Sequence, residues 1–204
     1  FFSQKYFMSY SKPIKSIRRT WMQIYIDYTN EYYGSHYTEY DLDKYMTKID
    51  LHHRLRKKHR IKISIAHGRA KNISYGSDLI STAIDRSYIF DKVRSEFIYI
   101  PKRKRLINSI GISIQLEQRF YNGIYDPHQL IDSNWKYYLD GRSKVRCSWN
   151  IMDNLGIVTW YQYRWRNAHS PLYGDFEWIE SLKSYNKHEF WLEFSYEFAS
   201  DILY

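Results

Sequence analysis

The sequence predicts an α+β fold, with N-terminal helices packed on a curved, mainly antiparallel sheet of about six strands. Three observations carry that expectation. Apolar residues recur at helical spacing through the first quarter of the chain, period-two alternation takes over from Ile61, and Gly-containing turn pairs punctuate the second half. Residues 1–34 read as a basic N-terminal arm and a first helix, and residues 35–204 as a single α+β domain.

Taken in order, Trp21, Ile24, Tyr25, Tyr28 and Tyr32 fall on one helical face ending near Gly34, with a strand through Met22, Ile24 and Ile26 as the competing pattern. A second helix is expected from Glu39 to Lys58. Thr38 can cap it, Glu39, Asp41 and Asp43 crowd its first turn, and basic residues from Arg54 to Arg60 crowd its far end, which suits the macrodipole at both ends. Leu42, Tyr45, Met46, Ile49, His53 and Leu55 trace its buried side. Ile61, Ile63 and Ile65 then alternate with Lys62 and Ser64 as a strand, and a short helix fits Ser77–Ile84. Tyr88–Ile100 and Leu106–Glu117 are strands joined through Pro101–Arg105. Asn122-Gly123 and Asp140-Gly141 mark tight turns, the latter linking Trp135–Leu139 to Ser143–Ile151. Asp153–Gly156 turns the chain into Ile157–Arg166. Glu189–Phe198 closes the sheet with Phe190, Leu192, Phe194, Tyr196 and Phe198 on one face.

Charge is divided unevenly. Residues 1–110 carry 22 Lys+Arg against 10 Asp+Glu, and residues 111–204 carry 9 against 12, so the net +9 comes from the first half. Such a partition points to a polyanionic partner met by one part of the molecule. Ile occurs 24 times against 3 Val and 5 Ala, a ratio that packing does not require and that an A/T-rich coding bias produces. The single Cys147 excludes an internal disulfide framework and a Cys-based zinc site, which fits a reducing or organellar interior. The longest apolar runs are four or five residues, so nothing is expected to span a bilayer. Phe1 to Ile26 holds Lys5, Lys12, Lys15, Arg18 and Arg19 and no acid, which resembles the tail of a mitochondrial transit sequence or a basic arm.

Two basic clusters are the candidate phosphate-binding residues. The first comprises Arg54, Arg56, Lys57, Lys58, Arg60, Lys62, Arg69 and Lys71, with more cations near one helix end than macrodipole complementarity needs. The second is Lys102, Arg103, Lys104 and Arg105, read as a hairpin tip that reaches backbone phosphates. On the final strand, Trp191, Glu193 and Glu197 form an acidic face with an exposed indole, suited to a neighbouring protein. His52, His53 and His59 sit in a field of cations that argues against a metal, and no catalytic residue, cofactor motif or small-molecule substrate site emerges.

These readings converge on a non-enzymatic, structural protein that contacts rRNA backbone in a mitochondrial ribosome, with neighbouring protein subunits and no cofactor. The alternative is an accessory subunit of a respiratory or ATP-synthase complex whose basic half faces anionic lipid headgroups. An enzyme of unknown class ranks third.

Overall fold

The computed structural model describes residues 2–32, 41–56, 58–73, 87–101, 106–121, 137–152, 155–169 and 184–196. They form nine strands and, among the described residues, no helix: β1 (Phe2–Pro13), β2 (Thr20–Tyr32), β3 (Leu42–Arg56), β4 (His59–Asn72), β5 (Tyr88–Tyr99), β6 (Ile107–Tyr121), β7 (Tyr137–Met152), β8 (Leu155–His169) and β9 (Tyr185–Tyr196). Each strand pairs antiparallel with its neighbour in sequence, so the sheet is an uninterrupted meander in the order β1 to β9.

The expected α+β fold is therefore corrected to all-β, and about six strands become nine. Of the segment expected as a helix from Glu39 to Lys58, Leu42–Arg56 form β3, and of the one expected to end near Gly34, Trp21–Tyr32 belong to β2. Both were misassigned for one physical reason: apolar residues occupy both faces of these strands, which hides the period of two. On β3, Tyr45, Ile49 and Leu51 share one face while Leu42 and Met46 lie on the other, packed against a cluster of Ala70, Tyr88 and Phe90. On β2, Ile24, Ile26 and Tyr28 share a face, and Trp21 and Tyr25 take the opposite one. Asp140-Gly141 is not a turn but lies within β7, near its start. The expected helix at Ser77–Ile84 and the Asn122-Gly123 turn lie outside the described residues. The strand through Ile61, Ile63 and Ile65 is β4, and those at Tyr88 and Leu106 are β5 and β6.

The connections are lopsided. At one end, residues 14–19, 57–58, 100–106 and 153–154 join the strands; at the other, the connecting stretches are 33–41, 73–87, 122–136 and 170–184. At the short end, backbone bonds reach beyond the ladders: Arg54 N–H donates to Arg19 C=O (3.1 Å), Ile100 to Lys58 (2.8 Å) and Asn150 to Leu106 (2.8 Å). Arg19 sits at φ 62°, an uncommon position for a residue with a side chain.

Contacts of substance run only between consecutive strands, so no second layer of described residues covers either face. The buried apolar cluster of Ala70, Tyr88 and Phe90, flanked by Leu42, Met46 and Tyr121, sits within the sheet near the long-connection end. Gly68 makes it possible: a Cβ there would overlap the Phe90 ring and the Tyr45 carbonyl. A bare backbone covered by a cross-strand aromatic also occurs at Gly141 beneath Trp165.

Candidate functional site

Because side chains alternate along a strand, the register divides the sheet into two chemically opposite faces. One row of opposed residues reads Ser11, Gln23, Asp50, Ser64, Arg94, Gln115, Arg142, Arg164, Lys187 from β1 to β9. One residue away, the row on the other face reads Tyr10, Ile24, Ile49, Ile65, Val93, Leu116, Gly141, Trp165, Asn186. Burial is inverted relative to a water-soluble protein. Asp50 on the polar face is 0 % exposed, whereas Ile65 on the apolar face is 59 % exposed. Ser64, Glu117 and Gln162 are buried on the polar side; Ile63, Ile112, Ile114, Leu116, Leu192 and Phe194 are exposed on the apolar side. Side chains crowd together on one face and splay on the other, as they do when a sheet curls around its polar face.

Buried charges on that face are paired. Lys48 and Lys62 approach the Asp50 carboxylate at 3.3 and 2.9 Å, charge contacts without hydrogen-bond alignment. Burial pushes the Asp50 pKa up, but Lys62, Ser64 and Lys48 outweigh it and the net direction is down. Glu117 lies between Lys92 (2.8 Å) and Arg119 (2.7 Å). Burial raises its pKa, and the two cations overcome that and hold it at about 2. Arg166 forks onto Asp140, with Nε to Oδ1 at 2.7 Å and Nη2 to Oδ2 at 3.0 Å. Gln162 and Lys187 converge on Glu189 at 2.6 and 2.8 Å. Cations also lie over rings: Lys144 over Trp160 at 3.7 Å, Lys48 over Tyr25 at 3.9 Å and Arg166 over Tyr138 at 4.6 Å.

The apolar face carries a band that runs obliquely across the strands. Its centre lies between Met8 and Tyr10 on β1 and between Phe190 and Tyr196 on β9. Through the register, Ser9 of β1 is level with Tyr185 of β9, so the band climbs about eight residues over the eight strand-to-strand steps. At about 3.4 Å per residue and about 4.8 Å per step, it is inclined by about 35°. Tyr28, Tyr45 and Phe120 stand toward the band's long-connection border, and Tyr99, Trp149 and Tyr196 toward the opposite one.

The structure redistributes the sequence-predicted residues. Arg54, Lys58 and Arg60 gather at the short-connection end, next to Arg18 and Arg19. Arg56 ends β3 there too. Lys62 faces the polar side and is engaged by Asp50. Arg69 and Lys71 lie on the opposite face, and Lys71 is about 37 Å along β4 from Arg60, so the first cluster is not one surface. Lys57, Lys102, Arg103, Lys104, Arg105 and Glu197 lie outside the described residues. Trp191 stacks on Trp160 (5.4 Å between centroids, 21° between planes), and Glu193 shares that polar face.

The histidines part company as well. His52 stacks on Trp21 on the polar face at 4.8 Å, whereas His53 turns the other way, its Nδ1 2.7 Å from Thr20 Oγ1. Among the described residues, no group of His, Cys, Asp or Glu is arranged to hold a metal. Sequence reasoning missed the paired charges Asp50, Glu117, Asp140 and Arg166. Their signal was present: charged residues at every second position, as in Glu117-Gln118-Arg119 and Arg142-Ser143-Lys144-Val145-Arg146. No protein-family model matches the chain, and no curated protein matches it either.

Proposed function

We propose that this chain forms part of the wall of a membrane-spanning β-barrel, with its apolar face against lipid acyl chains and its polar face toward an aqueous interior. The observation that carries the reading is the inversion of the two faces: charged side chains buried and paired on one side, and a continuous band of exposed Ile, Leu, Val and Phe on the other. An exposed apolar surface of that extent on a water-soluble protein would be an association site over most of the sheet.

Strand length, tilt and connections support the same reading. The strands are 12 to 16 residues long, more than the roughly 9–11 that cross a bilayer at a tilt. The oblique band fits strands inclined by about 35–45° to the membrane normal. Short connections at one end and long ones at the other are usual for such walls. Among the described residues no helix is long and apolar enough to cross a membrane, but strands cross without such runs because only alternate residues meet lipid. In a bilayer the outer edges of β1 and β9 require strand partners. β1 and β9 run in the same direction, so an odd number of intervening strands closes the wall with antiparallel pairs throughout.

The rRNA-backbone reading has one observation in its favour: Lys15, Arg18, Arg19, Arg54, Lys58 and Arg60 collect at one end. In the membrane reading the same cations meet anionic headgroups. The mitochondrial location expected from composition is carried as part of this proposal. Flotation tests it: after incubation with vesicles, the chain is expected to rise with lipid and resist extraction by alkaline carbonate. Sedimentation with ribosomes, reversed by nuclease, would instead establish the RNA reading.

A further inference from the structure

We propose that the polar face contains a binding site for a small oxyanion of phosphate type, built by Lys144 and Arg146 of β7 across a cleft floored by β6. The cleft has a volume of about 230 Å³ and is lined by Arg94 and Glu96 of β5, Ser109, Gly111 and Ser113 of β6, Lys144 and Arg146 of β7, Trp160 of β8 and Glu193 of β9. It exists because three successive β6 positions on this face carry small side chains while both flanking strands carry long ones. At Gly111 a Cβ would meet nothing nearer than 3.9 Å, so the cleft is open space, not a close approach of backbones.

Charge pairing distinguishes this cleft from the rest of the face. Elsewhere carboxylates meet cations: Asp50 with Lys48 and Lys62, Glu117 with Lys92 and Arg119, Asp140 with Arg166, Glu189 with Lys187. Here, Lys144 and Arg146 line the cleft from alternate positions of β7, with Arg142 next along the same face outside it, and none of the three makes an ion pair with a carboxylate among the described residues. Arg142 lies across from Arg164, and its Nε is buried without a hydrogen-bond partner. Of the lining carboxylates, Glu96 is held by Arg94 (3.4 Å), and Glu193 makes no ion pair with Lys144 or Arg146 among the described residues; Lys144 lies over the Trp160 ring. Burial first, and then the fields of Arg146, Arg94 and Arg142, lower the Lys144 pKa, with Glu189 acting in the opposite direction. An oxyanion in the cleft would accept from Lys144, Arg146 and the serine hydroxyls, and would relieve that repulsion. The site rests on the fold and on solvent access to the polar face.

The test is calorimetric titration of the full chain, held in detergent micelles that cover the apolar band, with inorganic phosphate at low ionic strength. Saturable binding is expected. Lys144→Gln with Arg146→Gln should weaken it about tenfold or more, the loss of a charge-assisted contact. Gly111→Met should abolish it by filling the cleft, whereas Glu193→Gln should tighten it by removing repulsion, a gain that general loss of structure cannot mimic. Lys15→Gln with Arg18→Gln, at the short-connection end, should leave it unchanged. Absence of saturable binding, or equal affinity in the Lys144/Arg146 double variant, would overturn the site. Binding by a chain that fails to float with vesicles would uphold the site and refute the membrane reading.

Discussion

Ile65 and Ser64 are consecutive residues of one strand, yet the chemistry around them is opposite. Ser64 is buried beside an ion-paired Asp50; Ile65 projects from a face where Ile49, Val93 and Leu116 share its row. Backbone pairing is the same for both, so hydrogen bonding cannot explain the contrast. The difference is one of solvent. A face that buries charge must pair it internally, because each unpaired ion would carry a heavy desolvation cost. A face that exposes a wide apolar band is stable only where its surroundings are apolar too.

The most damaging way to test that contrast is to reverse it. Ile114→Lys, near the centre of the band, should destabilise the membrane-inserted chain by about 2–4 kcal/mol, while Ser113→Lys, one residue away on the polar face, should cost far less. Urea unfolding in vesicles measures both, and equal losses would break the distinction between the faces.

Glu117 probes the polar side. Its pKa falls from an ordinary 4.5 to about 2 in the folded protein. Its stabilisation is therefore complete above the ordinary carboxylate range and is lost as pH falls from about 4.5 to about 2. At neutral pH, Glu117→Gln should cost about 3 kcal/mol, and the unfolding curves of variant and parent should converge below about pH 2. A gap that persists in acid would assign the loss to packing instead.

Gly68→Ala forces a Cβ against the Phe90 ring and should cost about 1–3 kcal/mol, with partial recovery when Phe90→Leu is added. The smallest effect is at the short-connection end. Lys15→Gln and Arg18→Gln should each weaken binding to anionic vesicles by about 1 kcal/mol in low salt, and the difference should fade as salt is raised.

The two faces were unevenly legible in the sequence. Where one face was purely apolar, as in Ile61-Lys62-Ile63-Ser64-Ile65 and Ile110 to Leu116, alternation revealed the strand. Where aromatic and apolar residues also entered the polar face, the pattern imitated a helix. Leu42 and Met46 do this at the Tyr88–Phe90 cluster, and Tyr25 does it beneath Lys48. Asp140-Gly141 looked like a turn because its partners are remote in sequence: Arg166 takes the carboxylate and Trp165 covers the glycine. The ion pairs were hidden for the same reason. Lys62 belongs with Asp50 only once β3 and β4 are in register. Counting charge along the chain gathered Lys62, Arg69 and Lys71 into one cluster, although the strand sends Lys62 to one face and the other two to its opposite.

Site-directed nitroxide labelling along β4 in lipid vesicles, in a Cys147→Ser background, separates the lipid-facing from the water-facing side chains. Labels would be placed in turn at Ile61, Lys62, Ile63, Ser64, Ile65 and Ala66, and their accessibility read with lipid-soluble oxygen and a water-soluble nickel chelate. Strict alternation is expected, with oxygen reaching Ile61, Ile63 and Ile65 while the chelate does not. Chelate access at Ile63 and Ile65 equal to that at Lys62 would contradict it.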